Sequence, residues 1–359
     1  MKRYQIKEVR EHQNNAGTKA NADVADVASR MGFEEYLIHM KDPGSFTGTN
    51  LVNKGMRWLI RQNCYVREWA ACPSAVETGS VMLLQHPFHS PQIGRERALM
   101  RLKQNGVRFI CMVHDVEKLR GILYNNYYKE EFGFMMKIAD VLIVHNDVMK
   151  RYFVRRGFPE DRIVVLGIFD YLMDEPEPPK LPEFSKSITV AGNLDTAKCG
   201  YIGHLPEIAP VKAILYGMGF DERMRSSNID YRGELAPEEV PSRMTEGFGL
   251  IWDGTDIDGC QGPSGRYLRY NNPHKLSLYL ASGLPVVIWS KAAEAKFVRR
   301  HHVGITVDSL RDLANLIEAV TPEEYRAMAE NAIPIARKLR RGAYTEHALH
   351  EALAIAQAR

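Results

Sequence analysis

The chain has 359 residues and a formal charge of +3 from 47 basic and 44 acidic side chains; 45% of its residues are hydrophobic and 25% are charged. This composition excludes a disordered, collagen-like or coiled-coil chain, and the balanced charge excludes a dedicated nucleic-acid binder. The length predicts two domains, since domains usually have about 100–200 residues. The five cysteines are scattered without a C-x-x-C pair, so neither a disulfide framework nor a zinc ribbon is indicated.

The sequence predicts a cytoplasmic protein. Its first eight residues, MKRYQIKE, lack the apolar core of a signal peptide, and no apolar run approaches 18 residues. Unpaired cysteines are typical of a reducing compartment. The sequence is also compatible with a peripheral contact at the inner face of a membrane and with a homo-oligomer.

Short apolar runs alternate with amphipathic stretches in the first half of the chain. The predicted strands are residues 4–9, 36–39, 81–85, 107–113, 141–145 and 163–166. The predicted helices include residues 20–31, 92–104 and 147–156. This alternation indicates a parallel sheet with helices on both faces. We therefore predict a Rossmann-like acceptor domain over residues 1–172.

A proline-rich segment interrupts the pattern at mid-chain. Four of the 18 prolines fall within residues 174–182. Proline lacks a backbone donor and breaks helices, so we predict a linker over residues 173–186.

The alternation restarts after this linker. The predicted strands are residues 187–191, 212–216, 229–232, 249–252, 285–289 and 305–307. The predicted helices are residues 237–245, 273–282, 292–301 and 310–320, with two more in the tail over 322–358. We predict a second doubly wound, Rossmann-like domain over residues 187–343. A terminal helix over 344–359 is expected to pack back on the first domain or to form an interface. Ligands of such sheets bind at the carboxyl ends of the strands, here in a cleft between the domains.

Residues 14–21, NNAGTKAN, lie between the first strand and the first helix. Gly17 permits a tight turn, and Thr18 can cap the helix, whose free N–H groups favour an anion or a sugar hydroxyl. We predict a substrate contact at Gly17 and Thr18; the alternative is an ordinary turn with a capping threonine.

Residues 190–198, VAGNLDTAK, follow the first strand of the second half. Gly192 lets a ligand approach the backbone beside Asn193, and Lys198 is a point charge suited to phosphate. The segment is neither G-x-G-x-x-G nor a P-loop, so a dehydrogenase or a P-loop kinase is unsupported. A glycine loop with a solvated lysine is the alternative. Tyr216, at the end of the next strand, is a weaker candidate for a nucleotide contact.

Residues 252–260, WDGTDIDGC, contain a pair of carboxylates two positions apart. Asp256 and Asp258 could hold a divalent ion against a diphosphate. The surrounding glycines favour a surface turn, and we predict no metal site here.

The most informative segment is residues 265–289, GRYLRYNNPHKLSLYLASGLPVVIW. Pro273 suits the first turn of a helix with Asn272 as its cap, and Gly283 suits its end. The start of such a helix presents free N–H groups and the positive end of a dipole, to which Lys275 adds a cation. We therefore predict a diphosphate site at Asn272 and Lys275. Helix, glycine and strand also follow one another in many α/β proteins, so the polar residues carry this prediction.

His114 and Asp115 follow a predicted strand at its carboxyl end. A carboxylate or imidazole at that position in a cleft can act as a general base, and a polar strand end is the alternative. We expect Asp115 to deprotonate or position the acceptor hydroxyl, with His114 as the second candidate.

Residues 271–287, NNPHKLSLYLASGLPVV, resemble the nucleotide-sugar region of bacterial GT-B glycosyltransferases. The resemblance is to the group of β-1,6-galactofuranosyltransferases and of glucosyltransferases that extend glycans on serine-rich adhesins. It covers most of the chain, including the Gly17-Thr18 loop, residues 85–88, His114-Asp115, Gly192-Asn193 and residues 252–254.

This resemblance implies two Rossmann-like domains facing across a cleft, with C-terminal helices and a nucleotide sugar held mainly by the second domain. It also implies that a helix dipole and cations, rather than a metal ion or other cofactor, stabilise the leaving diphosphate. The retaining GT-B pattern places one glutamate some eight residues before the Gly-Leu-Pro that ends the helix, and another further upstream. This chain departs from that pattern, since no acidic residue lies between Asp258 and Glu294. The roles of those glutamates therefore cannot be transferred.

The sequence thus predicts a hexosyltransferase that uses a UDP-sugar. The donor is UDP-galactofuranose or UDP-glucose, and the acceptor is a bacterial glycan, lipid-linked or protein-linked. The alternatives are a nucleotide-sugar epimerase or mutase and a non-catalytic nucleotide-binding subunit of a glycosylation complex. Nucleic acid is not an expected partner.

Overall fold

The computed structural model describes residues 1–10, 16–41, 50–175, 180–236 and 239–358, apart from the side chains of residues 10, 16–18, 197 and 198. In the first half, the strands are β1 Arg3–Arg10, β2 Glu34–Met40, β3 Val81–His86, β4 Arg108–Val113, β5 Val141–Val144 and β6 Ile163–Val165. The helices are α1 Ala16–Arg30, α2 Leu51–Ala75, α3 Arg95–Gln104, α4 Glu117–Arg120, α5 Asn126–Ile138 and α6 Asp147–Val154, with a 3-10 turn at Glu160–Arg162. The strands form one sheet in the order β2-β1-β3-β4-β5-β6, in which all pairs are parallel.

The second half repeats this plan. Its strands are β7 Glu183–Ala191, β8 Lys212–Tyr216, β9 Ile229–Tyr231, β10 Glu246–Ile251, β11 Val286–Trp289 and β12 Gly304–Val307. Its helices are α7 Thr196–Cys199, α8 Val240–Arg243, α9 Gly262–Tyr267, α10 His274–Ala281, α11 Ala295–His301, α12 Leu313–Ala319, α13 Pro322–Arg341 and α14 Ala343–Gln357. The 3-10 segments are Gly200–Ile208, Glu222–Met224 and Leu310–Asp312. The strands form a second parallel sheet in the order β12-β11-β10-β7-β8-β9.

The predicted fold class is confirmed, and each predicted strand matches an observed one. Strands β4 and β5 are almost wholly buried, as expected for parallel strands covered on both faces. The sheets stay separate on either side of residues 166–182. Helices α2, α4, α5, α7 and α9 lie outside the predicted helices.

The two C-terminal helices pack on different halves. Helix α13 lies against α10 and β7 of the second sheet, whereas α14 lies against β4, β5 and β6 of the first. Asp170 stabilises the start of α14 by accepting the backbone N–H groups of Tyr344 and Thr345. Burial raises the pKa of Asp170 to about 7. The chain therefore returns to its first half after completing its second.

Tyr279 fixes α10 against the middle of the second sheet. Its hydroxyl accepts the backbone N–H of Ala191 at the end of β7, at 3.0 Å. Its ring fills the space where Gly249 of β10 has no side chain, since a Cβ on Gly249 would lie 2.2 Å from the ring. This contact holds α10 at the carboxyl edge of the sheet.

We expect Gly249→Ala to destabilise the protein by about 1–3 kcal/mol or more, because the added methyl displaces a buried ring. Gly133→Ala in α5 is the matched control, since nothing lies within 4 Å of its added Cβ. That control is expected to be neutral or to stabilise by about 0.5–1 kcal/mol. Urea denaturation of both variants measures the difference, and equal free energies of unfolding would contradict this packing.

Candidate active site

The loops at the carboxyl ends of the two sheets meet between the halves. The backbone N–H of Asn272 donates to His145 Nδ1 at 2.9 Å, and that of Val116 donates to the Tyr267 hydroxyl at 2.9 Å. His145 follows β5 and Val116 follows β4, whereas their partners lie between β10 and β11. The cleft is therefore bounded by the carboxyl ends of strands from both sheets.

His145 is a fixed hydrogen-bond bridge in this contact. Its Nε2 donates to the Val113 carbonyl at 2.9 Å, which leaves Nδ1 as the acceptor for Asn272. Burial lowers the pKa of His145 to about 4, so the ring is neutral at pH 7 and Nδ1 keeps its lone pair.

The strand order of the second sheet changes direction between β7 and β10. A crevice opens at the carboxyl ends of such neighbours, which is where α/β proteins bind ligands. Gly192 follows β7, and Asp253 follows β10 after Trp252. Lys275 Nζ donates to Asp253 Oδ1 at 2.9 Å and to the Trp252 carbonyl at 3.3 Å. A Cβ built on Gly192 would lie 3.9 Å from Lys275 Cε, so these residues share the crevice.

Glycine is required at the opening of this crevice. Gly192 and Gly217 have φ of +127° and +140°, and a Cβ on Gly217 would lie 1.7 Å from the Gly192 carbonyl oxygen. Asn193 is exposed, and its Oδ1 accepts the Asp195 N–H at 2.8 Å in a tight turn. Lys198 belongs to α7, but its side chain lies outside the described part.

Lys275 is not a solvated side chain. Its side chain is only 16% exposed and is paired with Asp253. Burial disfavours the ammonium, but the Asp253 carboxylate outweighs that effect and the pKa of Lys275 is raised well above its usual value. The crevice therefore contains a permanent cation whose charge a carboxylate already shares.

The expectation that Asn272 caps the helix is wrong. Helix α10 begins at His274 with Pro273 at the N-cap, and no side chain caps it. Asn272 instead joins the halves, since its Nδ2 donates to the Gly167 carbonyl at 2.9 Å while its N–H binds His145. Its Oδ1 is buried and has no hydrogen-bond partner within the described residues. The start of α10 thus combines uncapped N–H groups with an unused acceptor.

His114 and Asp115 lie on the opposite side, after β4. Gln85 Nε2 donates to the Asn21 carbonyl, so its Oε1 faces His114 Nε2 at 2.7 Å and accepts that proton. This arrangement leaves Nδ1 as the basic nitrogen of His114. The ring stacks on Phe169 with centroids 5.2 Å apart, and burial lowers its pKa well below the usual value.

Asp115 is partly exposed, with 27% of its side chain accessible, and it pairs with Arg120 at 3.0 Å. Burial raises the pKa of its carboxyl, although Arg120 opposes that shift. A carboxylate with a raised pKa is a stronger base than an ordinary aspartate, and its exposed part can reach a substrate.

The other predicted site residues are less accessible or lie outside the described side chains. Tyr216 is 4% exposed, and its hydroxyl accepts from Arg232 at 3.0 Å and contacts the Arg243 carbonyl at 3.3 Å. Gly17 and Thr18 belong to the first turn of α1, which begins at Ala16, so the expectation that Thr18 caps this helix is wrong; the Thr18 side chain is outside the described part. The substrate contact of Gly17 and Thr18 and the nucleotide contact of Tyr216 stay predictions.

The carboxylates of residues 256 and 258 take part in a turn. Asp256 Oδ1 accepts the Asp258 N–H at 2.8 Å, and Asp258 Oδ1 accepts from Arg311 Nε at 2.7 Å. Among the residues that the structure describes, no group of three or more His, Cys, Asp or Glu side chains is arranged to hold a metal ion. The hydrogen bonds here are those of a surface turn.

Sequence reasoning missed Phe169, Tyr267 and Glu294. Phe169 packs against the rings of both His114 and His145, and Tyr267 receives the Val116 N–H. These contacts join residues that are distant in sequence, and no local motif marks them. Glu294 is buried between the halves, where Asn146 Nδ2 donates to its Oε1 at 2.8 Å. Burial raises the pKa of Glu294 from 4.5 to about 8.

We expect Glu294→Gln to stabilise the protein increasingly as the pH rises from about 5 to 8. The folded state keeps this carboxyl protonated up to about pH 8, whereas the unfolded chain releases its proton above about 4.5. The free energy of unfolding therefore falls by about 1.4 kcal/mol per pH unit between those values. The glutamine keeps an acceptor for Asn146 and removes this dependence. Thermal unfolding against pH measures it, with exposed Glu318→Gln as the control; parallel wild-type and Glu294→Gln curves would contradict it.

Two doubly wound sheets facing across a cleft, with a paired lysine in the crevice of the second, are the architecture of the GT-B glycosyltransferase class. Family models described as the N-terminal and C-terminal domains of Glucosyltransferase 3-like proteins match residues 3–168 and 188–352. The chain therefore belongs to the Glucosyltransferase 3-like family, and the predicted family is confirmed.

Known relatives match along nearly the whole chain. The β-1,6-galactofuranosyltransferase WbbI of Escherichia coli K12 is 27% identical over 98% of each chain. Glucosyltransferase 3 of Streptococcus gordonii is 25% identical over 93% of each chain. A crystal structure of Anabaena HepE in complex with UDP and glucose superposes with a TM-score of 0.59 at 11% identity, covering 98% of this chain and 99% of HepE. In the described residues, no helix is long and apolar enough to cross a membrane.

Proposed function

We propose that the protein transfers a hexose, glucose or galactofuranose, from a UDP-sugar to a bacterial glycan without a bound metal ion. The observation that carries this proposal is the crevice where Gly192, Lys275 and the start of α10 meet, opposite His114 and Asp115. One side suits a diphosphate and the other suits an acceptor hydroxyl.

The leaving UDP gains negative charge as the glycosidic bond breaks. Lys275 and the free N–H groups at the start of α10 are positioned to stabilise that charge, because both are fixed in a site of low dielectric before the reaction. Asp253 holds the ammonium in place when the crevice is empty. A diphosphate entering the crevice would then compete with this carboxylate for the lysine.

The buried Oδ1 of Asn272 is an acceptor without a donor in the described part. A sugar or ribose hydroxyl is the kind of group that satisfies it, since an unpaired buried acceptor costs about 1–3 kcal/mol. On the facing side, Asp115 takes the proton of the acceptor hydroxyl, with His114 Nδ1 as the second candidate. Gly17, Thr18, Asn193, Lys198 and Tyr216 complete the proposed substrate contacts.

The names of the two relatives support both donors: one is a galactofuranosyltransferase and the other a glucosyltransferase. We propose a growing glycan as acceptor, carried on a lipid or a protein. A lipid-linked glycan requires the enzyme to work as a peripheral protein at the inner face of the membrane.

The test is a donor screen. UDP-glucose, UDP-galactofuranose and the corresponding GDP-sugars are compared by thermal shift with EDTA present, and UDP release is then measured with and without glycan acceptors. We expect a UDP-sugar to raise the melting temperature and to be turned over. Binding without any UDP release would contradict an enzyme and favour a non-catalytic nucleotide-binding subunit.

A further inference from the structure

The first three turns of α2 lie at the surface of the protein. The earliest buried residue of this helix is Gln62, and it is followed by Tyr65, Trp69 and Cys72. None of residues 51–61 is buried. At about 1.5 Å per residue, this part of the helix is roughly 16 Å long. We call residues 51–67 the α2 surface.

The α2 surface is apolar on two sides. Leu51 and Trp58 continue the same side of the helix that Gln62 and Tyr65 bury farther along, yet they are 86% and 50% exposed. A second row, spaced four, three and seven residues apart, is also exposed, and it consists of Val52, Met56, Leu59 and Val66. An exposed apolar group of this size indicates an interaction site rather than scattered surface residues.

The α2 surface is also strongly basic. Between Asp42 and Glu68 the sequence contains no acidic residue. Lys54 and Arg67 are exposed, and Lys41 is exposed just before this segment. Arg57 and Arg61 lie beside Trp58 in a groove that Met40 and Pro91 complete. The surface therefore combines apolar side chains with cations and carries no carboxylate.

The position of α2 in the sheet relates this surface to the cleft. Met40 ends β2 and lines the groove, so the start of α2 lies at the carboxyl edge of the first sheet. His114 and Asp115 lie at the same edge, after β4. Strand β2 is at the end of the sheet and β4 is three strands away, so the α2 surface is near the cleft but separate from it.

We propose that the α2 surface docks the protein on a membrane that contains anionic lipids. Leu51, Trp58 and Leu59 enter the interface between head groups and acyl chains, while Lys54 and Arg67 bind lipid phosphates. A second copy of this chain fits less well, because a symmetric contact would place the same cations against each other with no carboxylate to pair them. Docking on the membrane would bring the enzyme to the proposed lipid-linked acceptor. This benefit rests on the proposed function, whereas the docking itself does not.

The test measures vesicle binding without donor or acceptor. The full chain is sedimented with vesicles of phosphatidylcholine alone or with 30% phosphatidylglycerol. We expect binding to the anionic vesicles, and a decrease in the partition coefficient of about tenfold or more for Lys54→Glu with Arg67→Glu. Trp58→Glu with Leu59→Glu is expected to reduce binding at least as much. Leu316→Glu, at a comparably exposed leucine on α12, is the matched control and keeps wild-type binding.

Trp58 provides a second readout, because the other three tryptophans are at most 4% exposed. Lipids brominated in the acyl chain are expected to quench the emission of wild-type protein bound to anionic vesicles. Trp58→Phe should still sediment with those vesicles but lose that quenching. Circular dichroism checks that each variant is folded.

The proposal is overturned if the protein does not bind anionic vesicles, or if it binds them and the α2 variants bind equally well. It is also overturned if the protein forms a dimer that Trp58→Glu disrupts and does not bind vesicles. That last outcome would assign the surface to a second copy. UDP-sugar hydrolysis is measured separately, without vesicles. A protein that hydrolyses the UDP-sugar but does not bind vesicles would contradict the docking proposal and leave the proposed transferase function unaffected.

Discussion

Asp115→Asn is expected to lower turnover about 10²–10⁴-fold, the usual contribution of a positioned general base. Asparagine keeps the shape of the side chain but cannot accept the proton of the acceptor hydroxyl. Affinity for UDP is expected to stay within about twofold, because Asp115 lies after β4 and the diphosphate crevice lies between β7 and β10. Steady-state kinetics with donor and acceptor measures the first effect, and calorimetry with UDP measures the second.

The pH profile separates a base from a positioning residue. Burial raises the pKa of Asp115, so wild-type turnover should fall as the pH drops through that raised value and the carboxylate takes up a proton. Asp115→Asn has no such group, and its acidic limb should be lost. Asp147→Asn, in the first turn of α6 at the same edge of the sheet, is the matched control and should keep both the rate and the profile.

Unchanged turnover in Asp115→Asn would remove this residue from the mechanism. His114→Gln then becomes the decisive variant, because the hydrogen bonds of Gln85 leave His114 Nδ1 as the remaining base. A folded Asp115→Asn variant that loses UDP affinity would also contradict the assignment, since it would connect Asp115 to the donor.

The sheets could be predicted from sequence because their strands are short and largely apolar, and because central strands such as β3, β4, β5 and β11 are almost wholly buried. Helix α2 was not predicted, and its structure explains why. Its buried positions begin only at Gln62, and the preceding turns carry two rows of apolar residues that are exposed. The periodicity of apolar residues reveals a helix when they form a single stripe along one face. In this segment they form two stripes, and both are exposed.

The candidate site was predicted only in part, because some of its features depend on contacts between residues that are distant in sequence. Strand order brings Gly192 to Lys275, and both could be chosen from their places at a strand end and a helix start. The ion pair with Asp253 spans 22 residues, and the bond from Asn272 to His145 spans 127, so no local pattern reports either. Asn272 precedes proline as a cap residue would, but the contact between the halves decides its conformation instead.

Lys275→Met is expected to weaken UDP binding about tenfold or more and to lower turnover by roughly 10²–10³. The first figure follows from a charge-assisted hydrogen bond of about 1.5–3 kcal/mol, and the second from charge that develops only as UDP leaves. Because Lys275 is paired, its removal leaves the Asp253 carboxylate without its partner and lowers stability as well. The double variant Lys275→Met with Asp253→Asn controls for this.

The double variant is expected to recover much of the melting temperature and none of the UDP affinity. If it recovered both, the lysine would act only by balancing Asp253, and the diphosphate would lie elsewhere. Calorimetry of UDP binding by the wild type, with and without EDTA, tests whether a metal ion is needed. Unchanged affinity in EDTA fits a diphosphate held by Lys275 and the start of α10. Loss of binding in EDTA would support a metal site at Asp256 and Asp258, and Asp258 would then have to exchange Arg311 for the metal ion.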